Sequence, residues 1–170
     1  MEKKVVRLDL PPFRGCQGFS LAEVMVVIAI LGILSAIAIP NIIKYRENTQ
    51  LRASATELLG TFRKAQIYAV KNNQKTTFDI DETAGTVTVK DSGGKIISSY
   101  AVHPGCKIDS NFTTTPGFTP MGLPLKKVIG SVEVRPLSSS SKIAYKVSLS
   151  MAGHTKLYTS TDGGSDSSWK

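Results

Sequence analysis

The sequence predicts an α+β fold in which a long N-terminal helix, half membrane-spanning and half amphipathic, packs on an antiparallel β-sheet. Three observations predict it. An almost entirely apolar run covers Phe19 to Ile39, and a helical apolar pattern follows Pro40. From Thr76 onward apolar and polar residues alternate, as they do in strands. One globular domain on a helical stalk suits a chain of 170 residues.

The apolar run is long enough to cross a membrane. It has 21 residues, and a helix needs about 20 apolar residues to span the hydrocarbon core. Residues 1–18 carry a net charge of +2 from the side chains of Lys3, Lys4, Arg7, Arg14, Glu2 and Asp9. Positive flanks stay in the cytoplasm, so residues 1–18 are predicted to be cytoplasmic and the chain after Ile39 to lie on the other side of the membrane.

Glu23 is the unusual residue of the apolar run, because a carboxylate in lipid is costly and usually has a partner. A cleaved secretory signal would use Ala36-Ile37-Ala38, which fits an A-x-A site, but the run is longer than a usual signal core. A lipoprotein signal at Cys16 has the wrong order, since the apolar region follows the cysteine. A permanent signal anchor leaves Glu23 unexplained. If Glu23 has no role in assembly, its side chain simply extends to the membrane interface.

Pro40 is the second marked position, because proline removes a helix hydrogen bond and clashes with the preceding turn. Either the membrane helix ends there, or Pro40 kinks or locally melts one long helix. The amphipathic pattern predicted over residues 41–73 favours the kink. Its apolar stripe consists of Leu51, Ala55, Leu58, Leu59, Phe62, Ala65 and Ala69. We expect this stripe to pack on a sheet.

The sheet is predicted within residues 75–160 of a globular domain that covers residues 40–160. The expected strands are Thr76 to Ile80, Thr86 to Lys90, Ile96 to Val102, Val128 to Val134, Ile143 to Ser150 and Lys156 to Thr159. The first three form a local meander. Residues 103–127 are rich in Pro, Gly and Thr and are predicted to be a long loop. Residues 161–170 are predicted to be a flexible tail.

No residue pattern indicates catalysis, and the chain is predicted not to be an enzyme. His103 and His154 are the two histidines, and His103 lies near Cys106 without further ligands at metal-binding spacing. No metal site and no cofactor are therefore expected. Cys16 and Cys106 are the two cysteines, and Cys106 is expected to be buried or weakly reactive. The net charge of +8 is spread along the chain and names no partner.

The stretch Gly18-Phe19-Ser20-Leu21-Ala22-Glu23, with the apolar run and Pro40 after it, resembles the processing site of type IV prepilins and type II secretion pseudopilins. The resemblance implies that a prepilin peptidase removes residues 1–18, cutting between Gly18 and Phe19, and that Phe19 is then N-methylated. Gly18 suits a protease cleft, because its backbone can approach closely. The resemblance further implies that Glu23 pairs with the terminal amine of a neighbouring subunit in a filament.

The part after Pro40 resembles the GspH/FimT group of minor pseudopilins and minor pilins. The resemblance lies in the helix from Leu51 into the strand ending at Ile80, in Phe118 and Gly122, and in Val147 to Tyr158. It implies a single-pass protein of the inner membrane, surrounded by lipid before assembly, with its C-terminal domain in the periplasm. Its implied partners are other pilins or pseudopilins and an inner-membrane assembly platform.

Two roles follow from these resemblances. The favoured role is that of a GspH-like minor pseudopilin, a structural subunit of the type II secretion pseudopilus that drives protein export. The alternative is a FimT-like minor pilin of a type IV pilus, which primes assembly or binds DNA for uptake. Sequence alone does not separate the two machines, since their subunits share fold and processing.

DNA capture is the least favoured role. Four of the 21 basic and two of the 13 acidic residues leave with the leader, so the mature chain has a net charge of +6. Some FimT-like pilins bind DNA through a Gly-Arg-x-Arg motif, and the matching positions here are Gly153-His154-Thr155-Lys156. Only Lys156 keeps a fixed charge, since His154 is mostly neutral at pH 7. Phosphate binding needs several such charges.

Overall fold

The computed structural model describes residues 18–137, 142–164 and 169–170. Two units meet between Ile39 and Pro40. The predicted leader up to Gln17 lies outside the described residues. Helix α1 covers Leu21–Lys71, and Pro40 lies inside it. The helix therefore does not end at Pro40, while the kink remains a prediction.

The described part of the second unit contains eight strands, which pair in two four-stranded antiparallel sheets. The strands are β1 Thr76–Asp81, β2 Thr86–Asp91, β3 Ile96–Ala101, β4 Cys106–Ser110, β5 Gly117–Phe118, β6 Gly130–Pro136, β7 Ala144–Leu149 and β8 Thr155–Ser160. A short 3-10 helix covers Leu125–Lys127. The strand orders are β3-β2-β1-β5 and β4-β6-β7-β8, so the chain leaves the first sheet after β3 and returns to it only for β5.

The second half of α1 packs on these sheets and forms one core with them. All seven residues of the predicted apolar stripe are buried, which confirms the stripe as a core face. Phe62 of α1 stacks on Phe78 of β1 at 4.3 Å between ring centroids, and Phe118 meets Phe78 edge-on at 5.9 Å. Val132, Val134 and Val147 supply the core face of the second sheet. The expected α+β class, a long helix on antiparallel sheet, is confirmed.

The second sheet corrects two expectations. One sheet was predicted, and the structure has two. Residues 103–127 were predicted to be a loop, yet they contain β4, β5 and the 3-10 helix. In β4 only Cys106 and Ile108 are buried, which is too short an alternation to identify a strand. The partner of β4 is β6, in register from Cys106↔Pro136 to Ser110↔Val132, so no local hairpin signal marks it.

Of the flexible tail predicted for residues 161–170, the structure describes residues 161–164 and 169–170. The backbones of Lys170 and Thr159 exchange two hydrogen bonds, of 2.9 and 3.1 Å, beside β8. The Trp169 ring lies over the Lys146 ammonium at 4.1 Å. A cation above an indole face is attractive, and the ring adds apolar contact, so these last residues are held on the second sheet.

Candidate functional site

The predicted cleavage junction lies just outside the first helical residue. Gly18 and Phe19 are exposed, and Phe19 retains 81% of its accessible surface. A Cβ atom built on Gly18 meets no atom within 4 Å. α1 begins at Leu21, so the peptide bond between Gly18 and Phe19 is not part of the helix. Such a bond can enter a protease cleft in extended form without helix unwinding.

Ser20 caps α1, and Glu23 is the third residue of the helix. The Glu23 N–H donates to the Ser20 hydroxyl at 3.2 Å, and the Val24 N–H donates to the Ser20 carbonyl at 3.3 Å. Ser-x-x-Glu is the sequence pattern of a capping box, and a carboxylate in the first turn also interacts favourably with the helix dipole. The position of Glu23 thus stabilises the helix start. The role of Ser20 was missed by the sequence reasoning, although the Ser-x-x-Glu spacing indicates it.

The apolar run exposes its side chains around the whole helix. α1 is the helix that is long and apolar enough to cross a membrane by length and composition, and none of its most apolar 18-residue window is buried. Leu21 retains 82% of its accessible surface, Ile33 66% and Leu34 57%. An exposed apolar surface of this extent requires lipid or another protein to cover it.

His154 and Lys156, the candidate residues for the least favoured role of DNA binding, lie at the hairpin between β7 and β8. Both side chains are exposed. The His154 N–H donates to the Ser150 hydroxyl at 3.1 Å, and Gly153 forms the turn with φ +80°. A turn between two strands is therefore sufficient to explain Gly153 and His154 without a role in binding. Lys156 pairs in register with Ser148 and lies on the outer face of the second sheet.

Two other cations of that outer face share ion pairs with Glu133 of β6. The Lys146 Nζ to Glu133 Oε1 distance is 3.2 Å, and the Arg135 Nε to Glu133 Oε2 distance is 3.0 Å. Among the described residues Lys156 has no ion-pair partner, but one free lysine is a weak phosphate site. The geometry gives DNA binding no support beyond the motif.

Gln66 is a connecting residue that the sequence reasoning missed. Its side-chain amide donates to the carbonyl of Gly122 at 2.8 Å and to the carbonyl of Gly153 at 3.0 Å. Both glycines have positive φ, and a Cβ on Gly153 would lie 2.5 Å from the Gly122 oxygen. The amide of one half-buried helical glutamine therefore joins α1 to two turns that are distant in sequence. No sequence signal distinguishes Gln66 from a solvated glutamine.

The other residues considered for chemistry lie around Ser54 of α1. The His103 N–H donates to the Ser54 hydroxyl at 3.3 Å, and the Cys106 thiol is free and buried. Burial raises the pKa of the Cys106 thiol, which lowers its reactivity near neutral pH. Burial also raises the pKa of Tyr100 to about 12, and the nearby Ser54 side chain offsets part of that rise. The phenol oxygen has no hydrogen-bond partner among the described residues. Cys106 is buried, as expected.

The resemblance to pilin-like proteins rests on three features: a Gly-Phe junction, a carboxylate in the first turn of an apolar helix, and packing of that helix's second half on antiparallel sheets. The comparisons with known proteins agree. Residues 13–39 match the model of the prokaryotic N-terminal methylation motif. Type II secretion system core protein G of Aeromonas hydrophila is 35% identical over 60 residues, which are 35% of this chain and 42% of that protein. The match spans less than half the length of the first curated relatives.

Two solved structures share the fold over most of the chain. The minor pseudopilin EpsH from the type 2 secretion system of Vibrio cholerae has a TM-score of 0.55 and 12% identity, over 64% of this chain and 95% of that chain. The type IV minor pilin FimU of Pseudomonas aeruginosa has a TM-score of 0.55 and 13% identity, over 74% and 96%. The chain thus carries the N-terminal motif of prepilin-like proteins and has the fold shared by minor pseudopilins and minor pilins.

Proposed function

We propose that this protein is a minor subunit of a pilin-like filament, and that the filament is the pseudopilus of a type II secretion system. The observation that carries the proposal is the combination in α1 of an uncovered apolar segment, a carboxylate in its first turn, and a second half that builds the core of a pilin-like domain. A helix of this kind can reside in a membrane before assembly and contact neighbouring subunits afterwards.

Processing is part of the proposal. A prepilin peptidase cuts between Gly18 and Phe19, and Phe19 becomes the methylated N-terminus. The exposed, non-helical junction supports this step, and residues 13–39 match the methylation motif. Before assembly the segment 19–39 lies in the inner membrane with the C-terminal domain in the periplasm. The assembly platform of that membrane then transfers the subunit into the filament.

Glu23 has the central role in assembly. Apolar side chains follow it without a further charge up to Pro40, so an unpaired charge there is costly once the segment leaves water. The amine of a neighbouring subunit's Phe19 removes that cost by forming an ion pair. The Ser20 hydroxyl accepts from the backbone N–H of Glu23 and so stabilises the first helical turn, from which the carboxylate extends toward a neighbour.

A minor pilin of a type IV pilus is the second candidate, because FimU shares the fold with the same TM-score of 0.55 as EpsH. Deletion of the chain in its native host separates the two. A pseudopilin deletion retains type II substrates in the periplasm and leaves pili unchanged. A pilin deletion reduces surface pili and leaves export unchanged.

The variant Glu23→Ala tests the assembly mechanism. We expect cleavage and N-methylation to proceed, as read by mass spectrometry of the N-terminal peptide, while incorporation into sheared filaments falls at least tenfold. Glu57→Ala is the matched control, since Glu57 is an exposed carboxylate of the same helix, and its incorporation should be normal. Normal incorporation of the Glu23→Ala chain would show that the charge is not required for assembly.

A further inference from the structure

An exposed apolar surface lies where the end of α1 meets two turns of the second unit. We call it the Met121 patch; its members are Ile67, Val70, Met121, Leu123 and Met151. Met121 retains 84% of its accessible surface, Ile67 64% and Met151 59%. Two adjoining hollows of about 530 and 670 Å³ share Met121 in their walls. Large apolar side chains that are exposed together, rather than singly, indicate an interaction site.

The backbone beneath the patch is fixed. Gln66 ties the Gly122 and Gly153 turns to α1, and Thr119 and Leu123 close the first turn with a backbone hydrogen bond of 2.7 Å. A Cβ on Gly122 would lie 3.1 Å from the Val70 side chain, so this turn rests directly on the helix. A surface held in place before binding loses little conformational freedom when a partner arrives, which favours affinity. Loop tips that only face solvent do not need this support.

The charges around the patch are of one sign. Lys71 lines one hollow and Lys126 lines the other; both are exposed, and neither forms an ion pair within the described part of the chain. No carboxylate is among the described residues that line the two hollows. The complementary partner therefore has apolar side chains with Asp or Glu beside them. A second copy of this chain, docked through the same patch, would place lysines against lysines.

We propose that the Met121 patch binds apolar side chains flanked by carboxylates on a different pilin-like subunit. The proposal rests on the proposed function, because it supposes that the chain is assembled with other subunits. Beyond that function, the docking proposal specifies which surface of this chain selects the neighbour. It also specifies the chemistry of the neighbour's surface. Met121 and Met151 suit that use, since methionine side chains adapt to the shape of a partner.

The test is site-specific photo-crosslinking of the full chain in its native host. Met121→p-benzoylphenylalanine places the probe on the patch, and Ile96→p-benzoylphenylalanine is the matched control on another exposed apolar residue of the same unit. We expect an adduct from position 121 at least tenfold more abundant than from position 96. Peptide mapping should identify a different chain with an N-terminal methylation motif, joined close to an Asp or Glu.

Charge reversal tests the lysines. Lys71→Glu combined with Lys126→Glu should lower the position 121 adduct at least tenfold, while Lys95→Glu combined with Lys156→Glu, two exposed lysines outside the patch, should leave it unchanged. Equal circular dichroism spectra of both double variants show that the fold is kept. An unchanged adduct in Lys71→Glu/Lys126→Glu would overturn the charge argument.

The outcomes also separate this proposal from the proposed function. No adduct from position 121, an adduct with lipid, or an adduct with a second copy overturns the docking proposal if the chain still co-purifies with sheared filaments. If the unsubstituted chain is absent from filaments, the proposed function is overturned, and the docking proposal with it. An adduct with a different pilin-like chain at position 121 supports both.

Discussion

The two halves of α1 are equally helical but obtain their stability differently. Between Leu21 and Ile39 the apolar residues surround the helix and none is buried. From Leu51 to Ala69 seven of them form one stripe that is buried against the sheets, while Ile67 stays exposed. The first half has no core of its own in the described structure, while the second half is a large part of one.

This difference shows which forces act on each half. The second half is stabilised by burial within its own unit, at about 25 cal/mol for each Å² of apolar surface removed from water. The first half gains the same kind of energy only from surroundings outside the chain, either lipid or a neighbour. A substitution should therefore change folding when it lies in the second half, and membrane insertion or assembly when it lies in the first.

The largest expected difference comes from one pair of core and lipid-facing substitutions. Phe62 is fully buried and stacked on Phe78, so Phe62→Ala should lower the free energy of unfolding by about 3–5 kcal/mol. Leu34 retains 57% of its accessible surface, so Leu34→Ala should change it by less than about 0.5 kcal/mol. Urea unfolding of the full chain in detergent, followed by the fluorescence of its one tryptophan, Trp169, measures both. Equal losses would contradict the comparison.

A pH titration sharpens the comparison, because Tyr100 is buried in the second unit. Burial raises its pKa from 10.0 to about 12, so above pH 10 the unfolded chain loses this proton before the folded chain does. The stability linked to Tyr100 is therefore fully present below pH 10 and falls by about 3 kcal/mol as the pH rises to about 12. Burial shifts the pKa of the Cys106 thiol in the same direction.

Tyr100→Phe isolates this effect from the other groups that titrate at high pH. The phenol of Tyr100 makes no hydrogen bond among the described residues, so its removal should not destabilise the fold at pH 7. The difference in unfolding free energy between Tyr100→Phe and the unsubstituted chain should grow between pH 10 and pH 12. A constant difference over that range would show that Tyr100 ionises as it does in water.

A smaller effect is expected from Gln66, which connects elements within the second unit. Gln66→Leu removes both amide hydrogen bonds and leaves two carbonyls without them, for a loss of about 1–2 kcal/mol. Lys64→Leu, at an exposed site two residues earlier, should change stability by less than about 0.5 kcal/mol. The Gly122 and Gly153 amides should exchange their hydrogens faster only in Gln66→Leu. Unchanged exchange there would mean that the turns hold themselves in place.

What the sequence predicted correctly has local signals. The apolar run, the stripe from Leu51 to Ala69 and the meander β1 to β3 each depend on residues that are close in the chain. The processing junction stays a prediction, and it too depends on local residues, namely six adjacent ones and the run behind them. Ser20 was also detectable, because a capping box is a pattern of four residues.

What the sequence did not predict depends on contacts between distant segments. β4 becomes a strand through pairing with β6, whose register joins Cys106 to Pro136. Gln66 acquires its role only because folding brings the carbonyls of Gly122 and Gly153 to the same side of α1. The backbone hydrogen bonds between Lys170 and Thr159 likewise join residues that no local pattern connects. Propensity is a weak guide where such tertiary pairing decides the structure.

The smallest expected effect comes from comparing one glycine in each half of α1. Gly60 lies within the second half of α1, and a Cβ built there meets no atom within 4 Å, so the fold of this unit does not require glycine at that position. Gly60→Ala should raise the free energy of unfolding by about 0.5–1 kcal/mol, because alanine restricts the unfolded chain more than glycine does. Gly32 has equally open surroundings but lies in the first half, so Gly32→Ala should leave urea unfolding of the second unit unchanged. Thermal unfolding should show a rise of about 2–4 °C for Gly60→Ala alone. A loss of stability in Gly60→Ala would mean that the chain itself packs against this glycine. The boundary between the half of α1 that is stabilised by its own unit and the half that needs lipid or a neighbour would then have to be moved.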